Sequence, residues 1–190
     1  MTLIDPRAGV AATLAAVTRE TGVFVDGELV ASRLGPPLEV ELAHWFPAAE
    51  VDAAADLYRA LYPAYAIPVT AALPGAVEAV ALVRASGARA VVVTAKQQVL
   101  AVASLEHVGI TADDVVGWRW GPAKGETLRE HGATAYVGDH VADVDGARVA
   151  GAVSVAVASG PCSADELRAY GADVVLDSLG EFGAWWKMAG

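Results

Sequence analysis

From Pro74-Gly75 onward the chain alternates short apolar runs with helical stretches stopped by glycine, and this alternation limits the fold more than any other feature. The clearest run, Ala88–Ala95 (ARAVVVTA), is continuously apolar, so both of its faces must be buried. Strands of that kind belong to parallel sheets covered by helices on both sides. The spacing predicts helices over Ala76–Ser86, Gln97–His107, Lys124–His131, His140–Ala150, Ser163–Tyr170 and Glu181–Met188. It predicts strands over Ala88–Ala95, Val115–Trp118, Thr134–Gly138, Ala152–Ala158 and Val174–Leu176. The fold class is therefore α/β, with a Rossmann-like parallel sheet.

The preceding residues, 5–70, read as helical. Asp5-Pro6 is an N-cap followed by proline at the first helical position, and the helix runs to Glu20 before Thr21-Gly22 closes it. Further helices are expected over Glu39–Trp45 and Ala48–Tyr62, punctuated by Pro36-Pro37 and Pro63. Asp26-Gly27 reads as a turn. The chain thus divides into a helical unit over 5–70 and an α/β unit over 71–190.

Composition removes several function classes. The 190 residues carry a formal charge of −10, and neither nucleic acid nor an anionic membrane surface is expected to bind without a basic face. Arg84 and Arg89 interrupt the richest apolar stretch before it reaches the ~18 residues of a membrane span. Cys162 is the single cysteine, which excludes an internal disulfide framework and a cysteine-rich zinc site. Asp5 and Arg7 precede any hydrophobic segment, so no signal peptide is read. A cytoplasmic monomer or homodimer is the expectation.

In open α/β sheets ligands bind beyond the carboxyl ends of the strands. There the sequence places Thr94-Ala95-Lys96, the Gly121-Pro122-Ala123-Lys124 lead into a helix, and Gly138-Asp139 with Asp143 four positions on. A hydroxyl at a strand-to-helix turn joins backbone N–H groups in holding a phosphate, and a lysine supplies the opposing charge. Two carboxylates at i and i+4 can hold a hard cation through oxygen. Together these residues point to Mg²⁺-assisted phosphate chemistry on a small phosphorylated metabolite.

Three segments, VVVTAK (91–96), GPAKGETL (121–128) and YVGDHVADVDGA (136–147), resemble the second, third and fourth motifs of the haloacid dehalogenase superfamily. RLGPPLE (33–39), LPGAVEAVALVRASG (73–87) and GADVVLDSLGEF (171–182) resemble its phosphoglycolate-phosphatase-like branch, which carries a small α-helical cap. The resemblance implies that Thr94, with the turn at Ala95, binds the transferring phosphoryl group and that Lys124 neutralises it. It implies that Asp139 ligates Mg²⁺, that Asp143 supports it directly or through water, and that the cap near Arg33 meets the leaving group.

The family's first motif, Asp-x-Asp-x-Thr, carries the nucleophile and the general acid/base. The chain opens Met1-Thr2-Leu3-Ile4-Asp5, so Thr2 matches the motif threonine and residues 1–4 are a remnant of that motif. The nucleophilic aspartate and the first core strand are then expected upstream of Met1, between the strand ending at Thr94 and the one ending at Asp139. Val23–Val30 superficially resembles the motif with Asp26, but leaves too little chain for a cap. Asp5 sits about a turn too far along to replace the nucleophile. If the 190 residues stand alone, the alternative is a non-catalytic phosphate-binding or interaction module.

Overall fold

The computed structural model describes residues 1–189. A short antiparallel ladder, β1 (Ile4–Asp5) against β2 (Ala71–Ala72), ties together the two ends of the helical region. Between them run α1 (Arg7–Thr21), α2 (Gly27–Ser32), α3 (Leu38–Leu42) and α4 (Val51–Tyr65). Helix α1 buries Val10, Leu14 and Val17 in a cluster with Ala55, Tyr58 and Tyr62 of α4; Leu14 and Tyr62 are wholly inaccessible.

Three local readings need correction. Asp26-Gly27 is not a reversal but a helix start, with the Asp26 carboxylate accepting the Leu29 N–H at 3.0 Å. Gly27 is glycine because a Cβ there would sit 2.9 Å from the Ala11 backbone of α1, a packing demand that mimics a turn signal in sequence. Pro63 lies inside α4 rather than before its end. In that last turn its ring forfeits one hydrogen bond, and burial of Tyr58 and Tyr62 on the inner face carries the helix to Tyr65. Finally, α1 begins one residue later than expected, with Pro6 as the cap position, while the Asp5 carboxylate still accepts the Arg7 N–H at 3.1 Å.

After β2 the chain alternates as the apolar runs require. The elements are α5 (Ala76–Ala85), β3 (Val91–Val93), α6 (Gln98–His107), β4 (Asp114–Val116), α7 (Pro122–Glu130) and β5 (Ala135–Gly138). They continue with α8 (Val141–Ala150), β6 (Val153–Val157), α9 (Ala164–Tyr170), β7 (Val174–Leu176) and α10 (Phe182–Ala189). Strands β3 and β4 pair in parallel, as do β5, β6 and β7 in that order.

Among the described residues no strand hydrogen bonds join β3 to β5. Thr94 offers both its N–H and C=O on the β4 side, to Val116 and Arg119. By the two-residue alternation of a strand, Val91 and Val93 direct theirs to the other side. Thr134 likewise accepts from Val153 on the β6 side, so Ala135 and Val137 face away from β6. These backbone groups look into a cavity of about 740 Å³ whose walls include Val91–Val93 and Ala135–Val137. Val80, Leu105, Leu128 and Trp186, from four different helices, also line it. A void of that size is foreign to a close-packed interior. The second hydrophobic cluster surrounds it, drawing on Leu105, Val155, Val157, Leu176 and Phe182.

Candidate active site

Each strand that ends beside the slot leaves a polar residue at its carboxyl mouth. Thr94 follows β3, and its hydroxyl accepts the Lys96 N–H at 3.2 Å, which leaves the hydroxyl proton free to donate outward. Lys124 comes from the first turn of α7 and donates to Asp143 Oδ1 at 2.7 Å, with only 12% of its side chain exposed. Asp139 follows β5. Thr94, Ala95, Lys124, Asp139, Asp143, Arg33 and Thr2 all line the same cavity.

Asp143 occupies the second position of the acidic pair, and its carboxylate accepts four hydrogen bonds. Oδ1 takes Lys124 Nζ and the Tyr136 hydroxyl at 3.2 Å, while Oδ2 takes the backbone N–H groups of Asp139 and His140 at 3.0 and 3.2 Å. Burial, reinforced by the Asp143 charge and hydrogen bond, holds the Tyr136 hydroxyl well above the usual tyrosine range, so it remains a donor. Asp143 therefore fixes Lys124 and the Asp139 turn. A Cβ on Gly138 would strike Asp143, so glycine is required at that close approach.

Asp139 turns its carboxylate to the first residues of the chain. Its carboxylate pairs with the Met1 ammonium and accepts the Thr2 hydroxyl at 2.8 Å. The Met1 carbonyl accepts the Ser159 hydroxyl at 2.6 Å, so the first residue is pinned at the mouth of the slot. Among the described residues no three His, Cys, Asp or Glu side chains converge to hold a metal unaided. Mg²⁺, however, is usually held by one or two carboxylates with substrate phosphate oxygens and water. Asp139, a carboxylate on the cavity wall, is of the residue type that such a pattern uses.

Sequence reasoning missed several neighbours. Tyr136 is hidden within a strand, and no motif marks it. His140 caps α8 through Nδ1, which accepts the Ala142 N–H at 3.1 Å, and so is a structural group rather than a solvated one. Lys96 turns toward the helical region, donating to the Tyr62 hydroxyl at 2.5 Å and lying 3.9 Å from its ring centre. Arg33 lines the cavity but is bound through one guanidinium edge, Nη2 and Nε, to the two oxygens of Glu41, at 2.6 and 3.1 Å. Trp185 and Trp186 pack around Phe182. Trp118, by contrast, is 49% exposed.

Known proteins resemble this chain in sequence and in fold. The chain is 30% identical over 200 residues to the probable phosphatase IndB of Dickeya dadantii (strain 3937), spanning 95% of this chain and 87% of that protein. A predicted phosphatase from Clostridium acetobutylicum has the same fold, with a TM-score of 0.81 at 21% identity over 98% of this chain and 94% of that one. So does a predicted phosphoglycolate phosphatase from Haemophilus somnus 129pt, with a TM-score of 0.79 at 16% identity over 99% and 93%. Residues 123–182 match the HAD-hydrolase-like family. Because residues 1–148 also match the haloacid dehalogenase-like hydrolases, on the α/β scaffold that carries Thr94, Lys124 and Asp139, the chain belongs to that family.

Proposed function

We propose that this chain forms the framework of a Mg²⁺-dependent phosphatase of a small phosphorylated metabolite, with residues 5–70 as its cap and 71–190 as its core. Its nucleophilic aspartate lies on a segment upstream of Met1 that seats between β3 and β5. The observation that carries this reading is the coincidence of the slot with the polar cluster: Thr94, Lys124 and Asp139 stand at the mouth into which such a segment would lead. The Met1 carbonyl accepts from Ser159 and the Thr2 hydroxyl donates to Asp139 at the same mouth, which is where such a segment would emerge.

In the first step the aspartate oxygen attacks phosphorus as the bond to the leaving-group oxygen breaks, and that oxygen takes a proton. Water then attacks the aspartyl-phosphate, releasing inorganic phosphate and restoring the carboxylate. Thr94 donates its hydroxyl to a phosphoryl oxygen, and Lys124, immobilised by Asp143, neutralises the charge shared between nucleophile and phosphate. Such fixed donors need no reorganisation as charge develops. Asp139 and the phosphoryl oxygens would hold Mg²⁺, which when bound supplies Lewis-acid neutralisation.

The test compares the 190-residue chain with one extended by the natural upstream ~15 residues, enough for a strand and its approach. Hydrolysis of p-nitrophenyl phosphate with Mg²⁺ is expected from the extended chain alone, and Asp139→Asn in it is expected to remove the Mg²⁺ stimulation. An inactive extended chain, or upstream sequence without an Asp-x-Asp, refutes the proposal. Phosphate or Mg²⁺ binding without turnover in both forms would instead identify a binding module.

A further inference from the structure

The loop leaving β4 is unusual in three ways. Trp118 is the one non-glycine residue with a positive φ, 58°, among the described residues, a conformation that is costly for a bulky side chain. The turn that imposes it is fixed by the Trp118 N–H donating to the Lys96 carbonyl at 3.0 Å and by Gly117, where a Cβ would collide with Gln98. The outcome is a half-exposed indole on the cavity wall instead of one buried in the core.

Trp120, two residues on, lines the same cavity, and its ring centre is 6.0 Å from Lys124 Nζ. Its far edge reaches the helical region, 3.7 Å from the position a Cβ on Gly35 would take. The indole wall therefore begins beside the group that would neutralise the phosphoryl and runs toward the cap.

Charge on the facing side is already compensated. Arg33 is bound to Glu41, and Arg59, which lies 4.5 Å from the Trp118 ring centre, is bound to Glu39 and to Asp56 at 3.2 Å. Lys96, from the core side, donates to the neutral Tyr62 hydroxyl and keeps its charge. The two arginines that the helical region contributes to this cavity are both paired with carboxylates. The remaining surface there is apolar, with Leu34, Pro36 and Leu38 opposite the indoles.

We propose that Trp118 and Trp120 form the leaving-group subsite, and that the substrate is the phosphate monoester of a neutral, flat unsaturated ring compound rather than of a carboxylate-bearing small acid. Ring-on-indole stacking supplies the discrimination. The inference rests on the phosphate-binding reading above, and binding measurements separate the two because they need no turnover.

The 190-residue chain, with Mg²⁺, is titrated with inorganic phosphate, phenyl phosphate, ethyl phosphate and 2-phosphoglycolate, read by calorimetry and tryptophan fluorescence. Phenyl phosphate is expected to bind about tenfold more tightly than ethyl phosphate or 2-phosphoglycolate, and inorganic phosphate to compete with all three. Trp118→Gly, which relieves the strained φ, is expected to keep the thermal midpoint while the phenyl-to-ethyl ratio falls toward one; Trp118→Phe is expected to preserve most of the ratio. Equal or tighter binding of 2-phosphoglycolate, or an unchanged ratio in Trp118→Gly, overturns the subsite. Failure of inorganic phosphate to bind overturns the phosphate site itself, and the subsite with it.

Discussion

Asp143→Ala tests the view that this carboxylate organises the site by hydrogen bonding. All four of its partners are donors: Lys124 Nζ, the Tyr136 hydroxyl and the N–H groups of Asp139 and His140. Removal leaves a mostly buried ammonium without its counter-charge and two backbone N–H groups without an acceptor. Breaking a buried ion pair from one side typically costs about 3–5 kcal/mol, a large share of the ~5–15 kcal/mol that holds a domain together. For a chain of this size, at about 2–4 °C per kcal/mol, the thermal midpoint should fall by roughly 6–20 °C. Asp143→Asn should recover little, because either orientation of the amide turns its NH₂ toward a donor. In a Lys124→Met background Asp143→Ala should cost less, by about 0.5–3 kcal/mol of coupling. Thermal and urea unfolding followed by circular dichroism measure each term. A loss below about 1 kcal/mol, the net worth of one ordinary hydrogen bond, or equal losses in both backgrounds, would refute the reasoning.

Other expectations follow from the same contacts. Burial raises the Glu41 carboxyl, but the hydrogen bonds from Arg33 and Trp45 outweigh it, so its pKa lies below the ordinary 4.5. A lowered folded value contributes stability above the unfolded pKa and loses it as pH falls through the folded one. The thermal midpoint should thus be flat down to about pH 5 and drop below it, and Arg33→Gln should make the acid-side drop shallower. Tyr58 and Tyr136 are raised well above 10.0, chiefly by burial. Being stable in their neutral form, they withdraw stability only as pH rises past about 10, and ultraviolet titration should show two of the five tyrosines ionising only with unfolding. Gly160→Ala would drive a Cβ into Asp139. It should weaken Mg²⁺ binding measured by calorimetry while leaving the helical region's amide-exchange protection intact; unchanged affinity would remove Asp139 from the cation site.

Much of the α/β half was legible because its signals are local. Continuously apolar VVV can be satisfied only by burial on both faces, and Gly151 and Gly171 end their helices in the left-handed conformation where glycine has no rival. Thr94, Lys124 and Asp139 were legible because each follows directly from a strand end or helix start. The failures were all tertiary. Gly27 answers to Ala11 across a helix pair, Pro63 to the burial of Tyr62, and the exposure of Trp118 to a backbone turn fixed by Lys96 and Gln98. Ala11, Lys96 and Gln98 are far in sequence from the positions they constrain, and each residue type carries a stronger local meaning that pointed elsewhere. For Asp143, spacing placed the carboxylate, while its partners, Lys124, Tyr136 and two backbone N–H groups, are visible only in the fold.

Two contacts between α4 and the strand-end loops have a consequence for motion. Tyr62 receives Lys96, and Arg59 lies over Trp118, so the helix is fastened to the loops after β3 and after β4 at once. Swinging the helices away breaks both cation–π contacts, each worth about 0.5–2 kcal/mol. Any motion that parts the helices from the strand-end loops must break both at once, so α4 and the two loops behave as one mechanical unit.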